Sequence, residues 1–510
     1  MATQTSPIGT PRSATPAANQ AISNQPPPLV DYDAFSAHAA LAEAVRRSGA
    51  DWAEPRLAAF GREIGSEELI AAGYLANENP PELLAYDRRG ERFDRVTFHP
   101  AWHRMMEASI KAGVHALNWV ERRPGANVAR AAAFLLMNEA ENGISCPLGM
   151  THASVAPLRR NAALAAQWEP HITSCDYDPS FAPMSEKRNV LIGMAMTERE
   201  GGSDVAKLAT RARRVSADAN ATEFELFGDK WFFSAPNSDA FLTLAATENG
   251  LTCFLVPRFC PDGSVNHIEL NRLKDKLGDR SNATAEASFA GAWATAIGEE
   301  GKGIRTILEM VHYTRLNVAL CSTGIMHQAV WQALHYAGHR TLFQKKLNDH
   351  PLMQNVLADL ALESESAVAL VMRIAHTFDA PESDAEAHAL GRIGVALAKY
   401  WITKRTPWAV FEAMECLGGN GYIEDYNLAR LYRQAPLNSI WEGSANVICL
   451  DVLRAIERLP AALPALRNEI SLARGADRRF DRFLDRLDAA FFQESSSPLL
   501  QAEARCWPRN

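Results

Sequence analysis

"NVLIGMAMTEREGGSD", residues 189–204, is where the hydrophobic period of the chain changes. Upstream, "DYDAFSAHAALAEAVRRSGA" (31–50) and "NVARAAAFLLMNEAENGI" (127–144) repeat apolar residues at i, i+3 and i+4, the spacing of helices packed by one face. From Asn189 the apolar residues run together for a few positions and stop at a polar turn, Gly201-Gly202-Ser203-Asp204. Beyond it come "TEFELFG", "KWFFS", "AFLTLAA", "TCFLVP" and "AEASFA", short runs separated by turn clusters such as "FGDK" and "PDGS". Helical spacing returns in "GEEGKGIRTILEMVHYTRLNVALCSTGIMHQAVWQALHYAGHRTL", from Gly298, and continues to about Leu459. The order predicts an α+β protein: an α-helical domain over 31–187, a mostly antiparallel β domain over 188–291, and a helical bundle over 292–459. Residues 1–30, rich in Pro, Ser, Thr and Ala, have little to bury and are expected to be an unstructured tail. Residues 460–510 read as a short helical extension, with Phe480, Phe483, Leu484, Leu487 and Phe491 on one face.

The 510 residues are 47% hydrophobic and 22% charged, the composition of a globular protein of about three domain-sized units. A net charge of -8 does not favour a global grip on nucleic acid or an anionic membrane. No long uncharged apolar run suggests a membrane span, and the N-terminal residues lack the apolar core of a secretory signal. The eight cysteines are scattered, with no CxxC, as expected of reduced thiols in a cytoplasmic protein. Two histidine pairs stand at i, i+4, His99/His103 and His335/His339; neither has an evident third ligand, and no metal site is expected.

No GxGxxG, GxxxxGK[ST] or GxSxG occurs. Three segments remain. In "MAMTEREGGSD" (194–204), backbone N–H groups at Gly201 and Gly202 and the hydroxyls of Thr197 and Ser203 suit a phosphate-bearing cofactor at a strand end, or form an ordinary polar turn. In "GDKWFFSAPNSDAF" (228–241), Trp231, Phe232, Phe233 and Ser234 make either a wall for a flat heteroaromatic ring or a hydrophobic strand. In "ECLGGNGYIEDYNLARLYRQAPLNSIWEGSAN" (415–446), Gly418, Gly419 and Gly421 permit close backbone approach or mark a turn between helices. Glu442 is the one charged residue of "LNSIWEGSANV" and its immediate flanks, either a base whose proton affinity is raised by apolar company or a carboxylate capping the next helix.

In order and spacing, "MTEREGGSD", "KWFFS", "GGNGY" and "WEGSAN" resemble the acyl-CoA dehydrogenase family, over about residues 50–458. "FHPAWH", "VPRFCPDG", "RLKDKLGDRSNA" and "LNSIWEGSANVICLDVLR" resemble its AidB branch, the bacterial alkylation-response flavoproteins. The resemblance implies a helical domain, a β domain and a four-helix bundle, bound FAD, an acyl-CoA or related thioester as substrate, and a homotetramer. By it, Met194, Met196, Thr197, Gly202 and Ser203 would hold the flavin, Phe232, Phe233 and Ser234 would lie against its rings, and Trp441, Ser444 and Asn446 would close the site. Glu442 stands where several branches carry the base that removes the α-proton of the thioester. An Arg-x-x-Phe-Gly element that reaches the cofactor of a neighbouring subunit reads here Arg340-Thr341-Leu342-Phe343-Gln344, with Gln in place of Gly. The branch is also associated with double-stranded DNA and its protection from alkylation, through a basic helical extension. Here residues 459–510 carry eight arginines against seven acids, and their alternation reads as a self-paired face.

Overall fold

The computed structural model describes residues 24–216, 218 and 221–488. The first domain contains α1 (Ala39–Arg47), α2 (Glu54–Ile64), α3 (Glu67–Glu78), α4 (Pro100–Lys111), α5 (Ala126–Ala140), α6 (Ser145–Leu158) and α7 (Ala162–Ile172). Side-chain caps set some of the starts: Ser66 accepts from the Leu69 N–H and Asn161 from the Leu164 N–H. α5 and α6 are buried on nearly every side, as helices placed between other elements must be. The stretch read as wholly helical also holds an antiparallel hairpin, β1 (Glu82–Tyr86) and β2 (Arg92–Thr97). Its strands bury only a thin apolar face, Leu83 and Val96, on the middle domain. "ELLAYDRRGERFDRVT" therefore carries too few apolar residues to announce strands.

The middle domain is a single sheet of β3 (Ile192–Ala195), β4 (Arg211–Arg214), β5 (Glu223–Ser234), β6 (Ala240–Thr247), β7 (Gly250–Pro257), β8 (Ile268–Leu273) and β9 (Thr284–Ile297). β9 runs past the expected boundary at 291. β6 pairs antiparallel with β7 and parallel with both β3 and β4, so the path β4–β5–β9–β7–β6 closes on itself. The remaining pairings are antiparallel, as expected.

The bundle packs α8 (Gly303–His339), α9 (Pro351–His376) and α10 (Ala385–Leu417), followed by α11 (Leu428–Gln434) and α12 (Ala445–Arg458). α8 has 37 residues and is about 55 Å long at 1.5 Å per residue. Its buried face meets α5 and α6 of the first domain, so one core runs through both helical domains. The extension gives α13 (Ala462–Ser471) and α14 (Arg478–Leu487), with Leu484 buried; Phe491 lies outside the described residues. Residues 1–23 of the expected tail also lie outside them. Residues 24–30 are docked rather than loose: Asn24 exchanges hydrogen bonds with Thr341, and His335 Nε2 is 2.8 Å from the Pro27 carbonyl.

The three domains meet at Glu141, a buried carboxylate. It accepts from the Gly143 N–H (2.8 Å), from Asn77 of the first domain, from Ser281 Oγ of the middle domain (2.8 Å) and from Gln434 of the bundle (3.3 Å). Arg430 of the bundle lies 3.3 Å away. A Cβ on residue 143 would fall 1.8 Å from Ser281 Oγ, so only glycine permits this approach.

Burial holds His38, His115 and His312 down to about 4, and His152 well below its ordinary 6.5. These histidines are neutral in the fold, whereas the unfolded chain takes up their protons as pH falls below 6.5. Their stabilisation is complete above that value and is lost on going down toward 4, by about 1 kcal/mol per pH unit each. Replacing His115 with Gln is expected to flatten the fall in urea-denaturation stability between pH 6.5 and 5 by about that amount. An unchanged slope would show that His115 is not held neutral.

Candidate active site

β3 points Met194 toward the bundle, and the chain then turns at Thr197 before reaching β4. Glu198 and Gly201 pair backbone to backbone and close that turn. The Glu198 carboxylate, 1% exposed, lies 2.7 Å from the fully buried Lys230 ammonium and also accepts from the Ala209 and Thr210 N–H groups and the Thr210 hydroxyl. The turn is thereby bolted to the start of β4 and to β5. The β5–β9 register shifts between Lys230 and Phe233, and in that gap the Trp231 N–H donates to the Thr197 carbonyl at 2.9 Å. A Cβ on residue 202 would lie 2.6 Å from Thr197 Oγ1, so Gly202 lets the turn fold back on itself.

Across from it the segment Ile440–Ser444 leads into α12. Glu442 has φ +57° and Gly443 φ +101°. The left-handed backbone turns the Glu442 side chain back onto α8, where Thr314 Oγ1 donates to Oε2 at 2.6 Å. Arg315 Nε donates to the Glu442 carbonyl at 3.0 Å, and Lys399 of α10 donates to the Gly443 carbonyl. Arg315 is braced by Asp451 at 2.8 Å, which Arg392 grips with two bonds of 2.9 Å. The carboxylate caps no helix: Ser444 is the N-cap of α12. Burial raises the proton affinity of Glu442, opposed first by the Thr314 hydrogen bond and then by Arg315 and Lys399.

Between the two turns lies a cavity of about 1010 Å³. Met194, Met196, Thr197, Gly202, Ser203, Phe232 and Ser234 line one side, and Trp441, Glu442 and Ser444 another. α6 contributes Cys146 and Met150, α8 Thr314 and Asn317, and α12 Arg454 and Arg458. Three expected residues are not brought here. Phe233 is buried in the sheet, its ring 4.3 Å from that of Phe241, because alternation along β5 sends Phe232 and Ser234 one way and Phe233 the other. Asn446 is exposed on the first turn of α12, away from the cavity wall. Arg340 is at the far end of α8, donating to the Asn24 carbonyl beside a small hairpin whose tip, Phe343, is 89% exposed. Gln344 there has φ +66°, a conformation glycine adopts freely.

The two expected histidine pairs are structural. His99 caps α4, His103 bonds the Tyr177 hydroxyl at 2.7 Å, and His339 bonds the His335 carbonyl at 2.8 Å. A different set meets: His38, Glu139 and His327, whose ligand atoms lie within 4.8 Å of one another. Their imidazoles stack with centroids 3.3 Å and planes 7° apart, so one ion cannot lie in both ring planes. The cluster is a buried carboxylate flanked by two stacked imidazoles, with His327 Nδ1 3.0 Å and His38 Nδ1 3.3 Å from Glu139 Oε1.

The same order of domains occurs in known proteins. Residues 24–179 match the adaptive response protein AidB N-terminal domain, 193–292 the acyl-CoA dehydrogenase middle domain, and 301–457 the acyl-CoA dehydrogenase C-terminal domain. The chain is 46% identical to the AidB protein of Escherichia coli (strain K12) over 468 residues, 91% of this chain and 86% of that one. It belongs to the acyl-CoA dehydrogenase family, in the AidB branch. Acyl-CoA dehydrogenase family member 11 of Caenorhabditis elegans is 30% identical over 485 residues, 88% of this chain and 76% of that one. The solved structure of Caenorhabditis elegans ACDH-11 in complex with C11-CoA superposes with a TM-score of 0.87 at 26% identity, covering 98% of this chain and 89% of that one.

Sequence reasoning missed the groups behind Glu442: Thr314, Arg315, Lys399, Arg392 and Asp451. Lys399 alone left a signal, as the single charge in the apolar run "IGVALAKYWIT". It missed the Glu198–Lys230 pair as well. Lys230→Met strands a buried carboxylate and is expected to lower unfolding stability by about 3 kcal/mol or more. Lys345→Met, on an exposed strand, is the control. Equal melting temperatures for the two variants would remove the pair from the account of the turn.

Proposed function

We propose that the cavity is the active site of an FAD-dependent acyl-CoA dehydrogenase, with an acyl-CoA or related thioester as substrate and Glu442 as the base. One observation carries the reading: a carboxylate of raised proton affinity faces, across one cavity, a wall of unpaired hydroxyls and an aromatic ring. The donor set fits FAD. The hydroxyls of Thr197, Ser203 and Ser234 line the cavity and have no protein partner among the described residues, Gly202 allows close backbone approach, and Phe232 and Trp441 offer flat apolar surface. These residues, with Met194 and Met196, would hold the cofactor. FAD, when bound, supplies the acceptor for the β-hydride.

Glu442 takes the α-proton onto its carboxylate. Thr314 fixes one carboxylate oxygen, so the group does not swing, and burial favours the protonated form that it acquires. Arg315 and Lys399 hold the backbone beneath it. The acid limb of the rate follows ionisation of Glu442: the base is active above its raised proton affinity and silent below it.

We infer a homo-oligomer, a tetramer by likeness to the wider family. Phe343, Leu352 and Tyr422 are each more than four-fifths exposed, an apolar cost that a neighbouring copy would remove, and the Arg340–Phe343 hairpin then reaches that neighbour's cofactor. No described helix is long and apolar enough to cross a membrane. For the second reading, a DNA-protecting flavoprotein, the described extension is divided: Arg467, Arg474 and Arg479 each pair with an aspartate of the extension and Arg373 pairs with Glu469, whereas Arg478, Arg482 and Arg486 are in no ion pair among the described residues.

Mixed anaerobically with acyl-CoAs of graded chain length, the yellow protein is expected to lose its flavin absorbance with one length in preference to the others. In Glu442→Gln the bleaching rate should fall by about a thousandfold while FAD stays bound. FAD-loaded protein that no thioester bleaches, yet that binds duplex DNA in a salt-dependent way, would overturn the enzyme reading in favour of the second.

A further inference from the structure

The turn that carries Glu442 is held in an unfavourable shape by two cations, the buried Lys399 and the partly buried Arg315. A left-handed glutamate is strained, and such strain persists only where the surroundings over-determine it. Here the two successive carbonyls of the left-handed pair are each gripped from a different helix, Glu442 by Arg315 of α8 and Gly443 by Lys399 of α10. The two cations are not alike. Arg315 has a counter-ion in Asp451. Lys399 is 1% exposed and has no carboxylate within ion-pair distance among the described residues; its hydrogen bond is to the Gly443 carbonyl. A buried ammonium without a carboxylate mate is costly, and an uncharged side chain of similar length would fill the same space.

We propose that Lys399 is the positioning residue of Glu442: through the Gly443 carbonyl it locks the left-handed turn that aims the carboxylate into the cavity. The inference rests on the reading of Glu442 as the base. It adds a charge effect, since Glu442 is the acid that acts most strongly on Lys399. Glu442 is faced by Thr314 and Arg315 from α8, by Lys399 from α10, and by the Cys146 thiol from α6, while Asp451 and Arg392 lie behind Arg315. Burial brings Lys399 down to about 7, so its charge is itself sensitive near neutrality. While protonated it draws Glu442 toward the ionised form; once neutral it no longer does so.

The test is Lys399→Met, with Lys399→Gln as a second variant should the first not fold. The protonated-carboxyl infrared band of Glu442, assigned by its loss in Glu442→Gln, is followed against pH. In wild type it disappears at a given pH; in Lys399→Met it is expected to persist about one pH unit higher, since a favourable charge is gone. The acid limb of thioester oxidation should move with it, and kcat should fall by up to about a hundredfold with a smaller change in KM. The melting temperature should change little, because the lost bond to the Gly443 carbonyl is offset by removal of a buried, unpaired ammonium. A merely structural lysine would lower the melting temperature and leave the band where it was, and that result overturns the inference. The infrared readout needs no turnover. A chain that oxidises no thioester therefore defeats the enzyme reading, whereas an unmoved band with turnover intact defeats this one alone.

Discussion

Glu141 is the point on which the assembly of this chain depends. A carboxylate taken fully out of water is tolerated only when its oxygens are satisfied, and the donors that satisfy Glu141 come from all three domains. The consequence is geometric. The loop bearing Ser281, the bundle helix bearing Arg430 and Gln434, and the C-terminal end of α5 can meet only in one arrangement, and the cavity is the space that this arrangement leaves. Gly143 is the concession the backbone makes to bring Ser281 close enough. Burial by itself would push the Glu141 carboxyl toward its neutral form; Arg430, Ser281 and the Gly143 N–H oppose that.

The two sides of the cavity are then built by the same device, a buried charge that fixes a backbone turn. On the sheet side Glu198 and Lys230 tie the Thr197–Ser203 turn to its strands. On the bundle side Arg315 and Lys399 hold the carbonyls of Glu442 and Gly443. The Glu198–Lys230 pair is not valuable chiefly as stability, since an apolar replacement of both partners often does as well. What charge adds is a defined direction for the groups it holds, and an active site needs direction more than it needs stability. The bulge in β5 serves the same end, since it frees the Trp231 N–H for Thr197 and turns Phe232 to the cavity.

Much of this was legible from particular residues. The period change at Asn189 marked the entry to the β domain, and the returning helical spacing after Gly298 marked α8. Met194, Met196, Thr197, Gly202 and Ser203 read as one turn and do line one wall, because contiguous residues of a tight turn stay together whatever packs around them. Phe233 read as a neighbour of Phe232 and is not, because the pleat separates adjacent residues onto opposite faces. The β1–β2 hairpin was hidden by its charges. His38, Glu139 and His327 were invisible as a set, since no local spacing links positions so far apart in the chain.

The sequence by itself determined the order of helical and β domains, the polar glycine turn after β3, and the isolation of Glu442 among uncharged neighbours. Those are properties of period and composition, which act over a few residues and need no partner. Only the tertiary structure decided what Glu442 is: it brought Thr314 to the carboxylate, Arg315 and Lys399 to the backbone, and the hydroxyl wall to the opposite side. The physical reason is that proton affinity and aim are set by burial and by the charges within a few ångströms, and those charges arrive from helices more than forty residues away in the chain.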